Sequence, residues 1–378
     1  MLDFLSFKRK SLIDKDTPEA PFYLVADDLF VERDGHEVFL KLIHSTSKDI
    51  KPLGAVVLAP GIATNANIFR IDDKGETLSL KHNRSFANLL AAEGFRVYLY
   101  HPGYTERVHN RYVSRHCSKS LHFGKNYQVS SGFGYMDIVN LEVPMVVNFI
   151  CEQEKTKNLS WIGYSMGSMI VYSHLSKNMN SPIKNLISIA SPMALNHMFI
   201  RFIPFLNITS RFLGFEETSL LGSFSESLVP LTRIIRTLPD WFVRFNLISP
   251  MLFNPLNIRN NTIKTMLGKI IEPIPAELER FFAEFVKRGF STHEKFANYL
   301  INLRALRKTK RNFLFFYGSN DLIATPESIF LAREVISPFD VNNLIGIPHA
   351  GHIDLIVGKN AMDTVWKPAL NWLKNLHV

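Results

Sequence analysis

Cysteine is scarce in this chain. Its 378 residues carry two, Cys117 and Cys151, so no disulfide framework is indicated. A reducing compartment is the simplest setting for such a chain. Long apolar runs are missing as well. The first ten residues, MLDFLSFKRK, hold no run long enough for a signal peptide or a membrane span. Leu2, Phe4, Leu5 and Phe7 beside Lys8, Arg9 and Lys10 outline at most a small amphipathic anchor, and a frayed terminus is the plainer reading. The expectation is a cytoplasmic protein whose membrane contact, if it has any, is peripheral. Zinc-finger spacings and the aromatic pattern of RNA-recognition domains are also lacking, which counts against nucleic acid as a partner. His101, His109, His116 and His122 lie close to Cys117, but no pair has the spacing of a zinc set and no acidic ligand joins them. No metal or cofactor is expected.

What is present is apolar and aromatic. Hydrophobic residues make up 46% of the chain and charged residues 20%, as in a globular protein. The length suits one large α/β domain carrying an insertion. Phenylalanine reaches 30 residues, and many of them fall between Met198 and Phe315. The formal net charge is +9, and residues 197–311 hold 17 Lys/Arg against 9 Asp/Glu. Nearly all the surplus thus sits in one aromatic segment, which suits an acidic lipid surface better than nucleic acid.

The chain is organised around Asn158 to Ser168. Leu159, Trp161 and Ile162 make a short apolar run, as a buried strand would. Gly163-Tyr164-Ser165-Met166-Gly167 then fits the G-x-S-x-G pattern of a nucleophile elbow. Met169, Ile170, Val171, Tyr172 and Leu175 follow with helical spacing. A sharp turn between strand and helix lifts a serine hydroxyl clear of the backbone and crowds the residues two before and two after it. Gly163 and Gly167 meet that need. The Met166 N–H, at the helix start, is a candidate oxyanion donor.

Other elements follow from local pattern. Leu29 to Val31 and Val38 to Leu42 flank Asp34-Gly35 as a hairpin. Ala55 to Leu58 is the next strand and ends at Pro60-Gly61-Ile62, where the Ile62 N–H is the candidate second oxyanion donor. Ser85 to Glu93 reads as an amphipathic helix closed by Gly94, and Phe95 to Tyr100 as a strand. Asp137 to Cys151 is a helix that Pro144 interrupts or kinks. Ile183 to Ile189 is a strand. The strand–helix rhythm then stops until the strand Asn312 to Tyr317. Leu278, Phe281, Phe282 and Phe285 keep helical spacing within the gap. A helix near Ser328 to Val335, a strand near Val341 to Ile345 and a helix from Ala361 to Leu376 complete the chain. The expected fold is α/β, with a mostly parallel central sheet, helices on both faces and an inserted helical cap. The expected division is an N-terminal extension at 1–25, a core at 26–192 and 312–378, and the cap at 193–311.

A serine needs a base, and the base needs a carboxylate. Asp321 sits just past the strand Asn312 to Tyr317, at the sheet edge where ligands gather. His352 follows Gly351 in a loop before the last helix. His349 competes with it as the base, and the Gly-His pair favours His352.

These residues resemble the α/β-hydrolases, and within them the acid-lipase-like branch. The likeness rests on Pro60-Gly61 with Asn65 and Ala66, Ser114-Arg115-His116, Tyr135-Met136-Asp137 with Val143-Pro144, the Ser165 elbow, Asn320-Asp321 and Gly351-His352. It spans roughly residues 50–195 and 311–375. It implies ester cleavage on lipids without a cofactor. The chain departs from that branch in having Pro60 and Tyr164 where histidines often stand, and its first residues show no apolar run like the signal peptide of the branch's secreted members, so secretion is not expected. The resulting expectation is a serine hydrolase of apolar, acyl-chain esters working through an acyl-enzyme with Ser165, Asp321 and His352. The rival readings are an acyltransferase, for which His349 and Asp354 offer a weak H-x4-D spacing, and a non-catalytic lipid-binding protein. Met198, Phe199, Phe202, Ile203, Phe205, Leu206, Ile208, Phe212, Leu213 and Phe215 crowd one stretch of the insertion, as the lid of an apolar site would.

Overall fold

The computed structural model describes residues 9–10, 24–33, 36–75, 79–105, 134–193, 236–245, 249–272, 302–340 and 342–376, with short pieces at 274–275, 277–278, 281–282 and 285. Nine strands form one sheet: β1 (Arg9–Lys10), β2 (Leu24–Arg33), β3 (His36–Ser45), β4 (Gly54–Ala59), β5 (Phe95–His101), β6 (Leu159–Tyr164), β7 (Ile183–Ile189), β8 (Asn312–Gly318) and β9 (Leu344–Ile347). Their spatial order is β1-β2-β3-β5-β4-β6-β7-β8-β9. From β5 to β9 every neighbouring pair is parallel, whereas β3 runs antiparallel to both β2 and β5. The mostly parallel sheet expected from the rhythm is therefore present, with an antiparallel margin. Its central strands are buried along nearly their whole length, which is why they read as mostly apolar runs.

The strand order reverses at β4. Successive crossovers lead from β4 to β5 in one direction and from β5 through β9 in the other. Right-handed crossovers place helices on opposite faces when the direction changes. The helix Phe86–Ala92, after β4, shares a face with the last helix: Phe86 stacks on Trp366 at 5.9 Å, and Lys374 pairs with Glu93 at 2.8 Å. The helix Met166–Lys177 lies on the other face beside the one that begins at Tyr135, whose hydroxyl meets Ser173 Oγ at 2.9 Å. At such a reversal the loops leave in opposite directions and open a crevice at the carboxyl ends of the strands.

Some elements differ from expectation for physical reasons. The hairpin strands are longer than expected, and their turn at Asp34-Gly35 lies outside the described residues. The helix Phe86–Ala92 is not amphipathic: residues 86–91 are all buried between the sheet and Trp366. Pro144 neither ends nor breaks its helix. A π-turn over Ile138–Glu142 widens the helix just before the α-segment Val143–Gln153, with Val143 N–H bonding to the Ile138 carbonyl. The wide turn absorbs the ring and the missing N–H of the proline. Pro368 follows the same rule after a π-turn at Met362–Trp366. The last strand starts three residues later than expected, at Leu344; the buried Asn343 before it still accepts the Phe315 N–H of β8 at 2.8 Å.

Between β7 and β8 the described residues hold the helices Asp240–Arg244, Ser249–Leu252 and Asn260–Lys269, and no strand beyond an isolated bridge from Ile271 to Thr64. The Phe281 ring packs on those of Phe282 and Phe285 and stacks on Tyr135 at 4.2 Å. The proposed lid stretch from Met198 to Phe215 and the histidines 109, 116 and 122 lie outside the described residues, as does the anchor at Leu2 to Lys8. Among the described residues no helix is long and apolar enough to cross a membrane.

Candidate active site

Ser165 stands between β6 and the helix Met166–Lys177 with φ 52° and ψ −120°. Positive φ is rare for a residue with a Cβ, and here the surrounding structure enforces it. The Ser165 N–H bonds to the Ile189 carbonyl of β7 at 2.9 Å, and its carbonyl accepts the Ser168 N–H at 3.2 Å. The two glycines serve as the motif requires. A Cβ on Gly163 would come within 2.4 Å of the Ser168 nitrogen, and one on Gly167 within 2.2 Å of the Ala59 carbonyl oxygen. The helix therefore starts directly against the end of β4. Trp161 Nε1 donates to the Gly167 carbonyl at 3.0 Å and ties the strand to the far side of the turn.

Met166 opens that helix, so its N–H is among those with no acceptor inside the helix. Ile62 lies in the loop after β4. That loop passes close to the serine: a Cβ on Gly61 would lie 3.1 Å from Ser165 Cβ. Asn65 then caps a 3-10 turn, Ala66–Arg70, by accepting the Asn67 N–H at 3.0 Å.

Asp321 and His352 are brought together. Asp321 is buried in the loop after β8, and its Oδ2 lies 2.8 Å from His352 Nδ1. Its Oδ1 accepts the N–H groups of Ile323 and Ala324 at 2.9 and 2.8 Å. An ionised carboxylate can only accept, so with Asp321 charged His352 Nδ1 is the donor of this bond and Nε2 is the nitrogen left to act as a base. The Asn320 N–H bonds to the Ala350 carbonyl at 3.0 Å, which joins the acid's turn to the histidine loop. The His352 ring lies 5.1 Å from the ring of Tyr164, the residue before Ser165.

His349 is placed differently. It is exposed, takes a left-handed φ of 56°, and contributes its backbone. Its N–H bonds to Ser319 Oγ at 2.8 Å, and its carbonyl accepts the amides of Asn254 and Asn257. Asp354 turns to other donors, the N–H groups of Gly351 and Asn254 at 2.8 and 2.9 Å. The H-x4-D spacing thus gains no support from the geometry. Burial pushes the Asp354 carboxyl above its usual range, against the pull of those two N–H groups.

A polar cluster that the sequence reading missed lies at the ends of β3 and β5. Glu142 is fully buried. Its carboxylate takes the Tyr100 hydroxyl, the Gly103 N–H at 2.8 Å and His36 Nε2 at 2.7 Å. Desolvation opposes charge on His36, yet Glu142 outweighs it and the imidazole stays above its usual value. A glutamate inside an apolar helical run was the available signal. Among the described residues no three metal-ligating side chains gather.

No protein-family model matches the sequence, and no curated protein matches it. Solved structures do match. A candidate lipase from Sulfolobus solfataricus aligns over 99% of both chains with a TM-score of 0.56 at 14% identity. The 2-hydroxy-6-oxo-6-phenylhexa-2,4-dienoate hydrolase of Rhodococcus sp. strain RHA1 aligns with a TM-score of 0.50 at 13% identity, over 94% of this chain and all of its own. With the sheet order and the strand–turn–helix around Ser165, these matches establish the fold: it is the α/β-hydrolase fold. At such identities they speak to the fold and no further.

Proposed function

We propose that this protein is a serine hydrolase that cleaves carboxylic esters of apolar, acyl-chain substrates. The observation that carries the reading is the strained Ser165 elbow at the same sheet edge as the buried His352–Asp321 pair. In this mechanism His352 Nε2 takes the Ser165 proton as Oγ attacks the ester carbonyl. Asp321 holds the imidazole by Nδ1 and stabilises the charge it gains. The N–H groups of Ile62 and Met166 receive the oxyanion. His352 then gives the proton to the leaving alcohol, and an acyl-enzyme remains on Ser165. Water, deprotonated by the same imidazole, releases the acid. No cofactor takes part.

The cap, assigned to residues 193–311, supplies the apolar wall and peripheral membrane contact. Trp241, Phe242, Phe245 and Leu256 support this part, because all four are exposed, Trp241 at 67%. Arg236 and Arg244 lie beside them in the sequence, while Lys264 pairs with Asp240 at 2.5 Å. Exposed aromatics with nearby cations suit an anionic lipid interface.

The test is labelling with a fluorophosphonate probe, followed by turnover of p-nitrophenyl esters of increasing chain length. Labelling of wild type, its loss in Ser165→Ala and a preference for long acyl chains are expected. A wild-type protein that neither labels nor turns over any ester sinks the reading. Flotation with anionic vesicles at low salt checks the membrane part, and absence of binding there removes it.

A further inference from the structure

Residues 249–272 of the insertion are tied to both loops that would form the active site. At one end the strap meets the histidine loop. The Ile353 N–H bonds to the Leu252 carbonyl at 2.9 Å, and the Asn254 N–H to Asp354 Oδ2 at 2.9 Å. The same oxygen takes the N–H of Gly351, the residue before His352, at 2.8 Å. The side-chain amide of Asn257 reaches the His349 carbonyl at 2.8 Å, and the Lys359 N–H reaches the Asn257 carbonyl at 2.7 Å. The contact is close: a Cβ on Gly351 would lie 2.9 Å from Phe253 Cα.

At the other end the strap meets the loop after β4. The Asn65 N–H bonds to the Ile270 carbonyl at 3.0 Å, and the Glu272 N–H to the Ala63 carbonyl at 2.9 Å. Asn65 Nδ2 donates to the Lys269 carbonyl at 3.0 Å and to Glu272 Oε1 at 2.6 Å. Between the ends, Thr265 Oγ1 donates to the Gly75 carbonyl at 2.9 Å. Asp354 and Glu272 are both buried, 4% and 5% exposed. A buried carboxylate is tolerated where donors meet it, and the donors to Asp354 Oδ2 and Glu272 Oε1 belong to the strap and to the two loops it joins.

We propose that this strap is a fixed part of the catalytic frame rather than a moving lid. Glu272, at the strap's end, and Asp354, beside the histidine loop, are the positioning residues. Asp354 sets the loop that carries His352, and Glu272, through Asn65, sets the loop that carries Ile62. The strap holds the two at one separation. The inference rests on the hydrolase reading, because it assigns these loops the base and an oxyanion donor. Loss of either anchor lets a reacting group drift, and misplacement by about 1 Å lowers a rate on the order of 100-fold. Substrate contacts elsewhere are untouched, so the loss falls on kcat and not on KM.

The experiment compares Asp354→Ala and Glu272→Ala with Asp354→Asn and Glu272→Gln. The last two keep an acceptor oxygen for the same N–H donors. Readouts are kcat and KM on a short soluble p-nitrophenyl ester, the fluorophosphonate labelling rate, and Tm. The expected result is a fall of about 10- to 100-fold in kcat and in labelling for the alanine variants, with KM little changed. The conservative variants should recover most of it. Folded alanine variants with wild-type kcat overturn the proposal, as does an effect confined to KM, or amide variants no better than alanine. If the alanine variants do not fold, Asn257→Ala carries the test. It removes one donor to the His349 carbonyl and should lower kcat alone by a few-fold, so unchanged kcat overturns the proposal. A wild-type protein that neither labels nor turns over any ester refutes the hydrolase reading itself, and the proposal falls with it, a result distinct from any difference among variants.

Discussion

Ser165 should make the protein less stable than a glycine in its place would. Its φ of 52° with ψ −120° is open to glycine and strained for any residue with a Cβ. Strain of this kind is worth about 1 to 3 kcal/mol per residue. Two effects oppose the relief. Glycine loses more backbone entropy on folding, about 0.5 to 1 kcal/mol. It also gives up one buried carbon, worth up to about 0.8 kcal/mol at a side chain only 7% exposed. Ser165→Ala is the right reference, since it keeps the Cβ and the strain and removes only the hydroxyl. At an unstrained site glycine would be less stable than alanine by about 1 kcal/mol or more. Here the order should reverse, with Ser165→Gly the more stable by about 1 kcal/mol. Equilibrium unfolding in guanidinium reads the difference as a higher midpoint at equal slope. Both variants should be dead to the fluorophosphonate probe, so activity does not enter the comparison. A glycine variant less stable than the alanine variant by about 1 kcal/mol would refute the claim that the elbow stores strain.

The two histidines should separate cleanly. His352→Ala is expected to lose nearly all turnover, on the order of a million-fold as for other members of a triad, while folded His349→Ala keeps most of it. The reverse result would move the base to His349. A third prediction concerns acid stability. Burial lowers the His174 imidazole from its ordinary 6.5 to about 4, aided by Arg311 and opposed by a backbone bond at Val139. Its folded value lies below its unfolded one, so the native state resists the proton. Stability is then full above about pH 6.5 and falls as the pH drops toward 4, by on the order of 3 kcal/mol. His174→Gln should flatten that limb of a Tm-against-pH curve, and an unchanged slope would refute the assignment.

Much of the fold was legible because the sheet centre is buried on both faces. Strands β4 and β8 read as nearly bare apolar runs, and β6 and β7 keep enough apolar positions to be read as strands despite Ser160, Lys184, Asn185 and Ser188. The reading failed where packing overrides pattern. The helix Phe86–Ala92 looked two-sided, but Asn88 is buried and gives its amide to the carbonyls of Ser79 and His82. A polar residue satisfied by distant carbonyls cannot be told from a solvated one by spacing. Pro144 pointed to an interruption or a kink, and sequence alone does not reveal that the interruption is a π-turn that makes room for it.

The site divides along the same line. The elbow was legible because its geometry dictates residue identity at fixed offsets. Only small residues fit at 163 and 167, where an added Cβ would strike backbone atoms. The His352–Asp321 pair was legible less directly, through the sheet edge that both loops share. The strap left no such mark. The Asn254 N–H finds Asp354 across 100 positions, and the Asn65 amide finds Glu272 across 207. Each bond joins a carboxylate to an N–H that many residues could supply, so the sequence does not announce which donor each acid will find. Strain selects the residue that relieves it and leaves a motif. A long-range hydrogen bond selects only a place, and that place exists once the chain has folded.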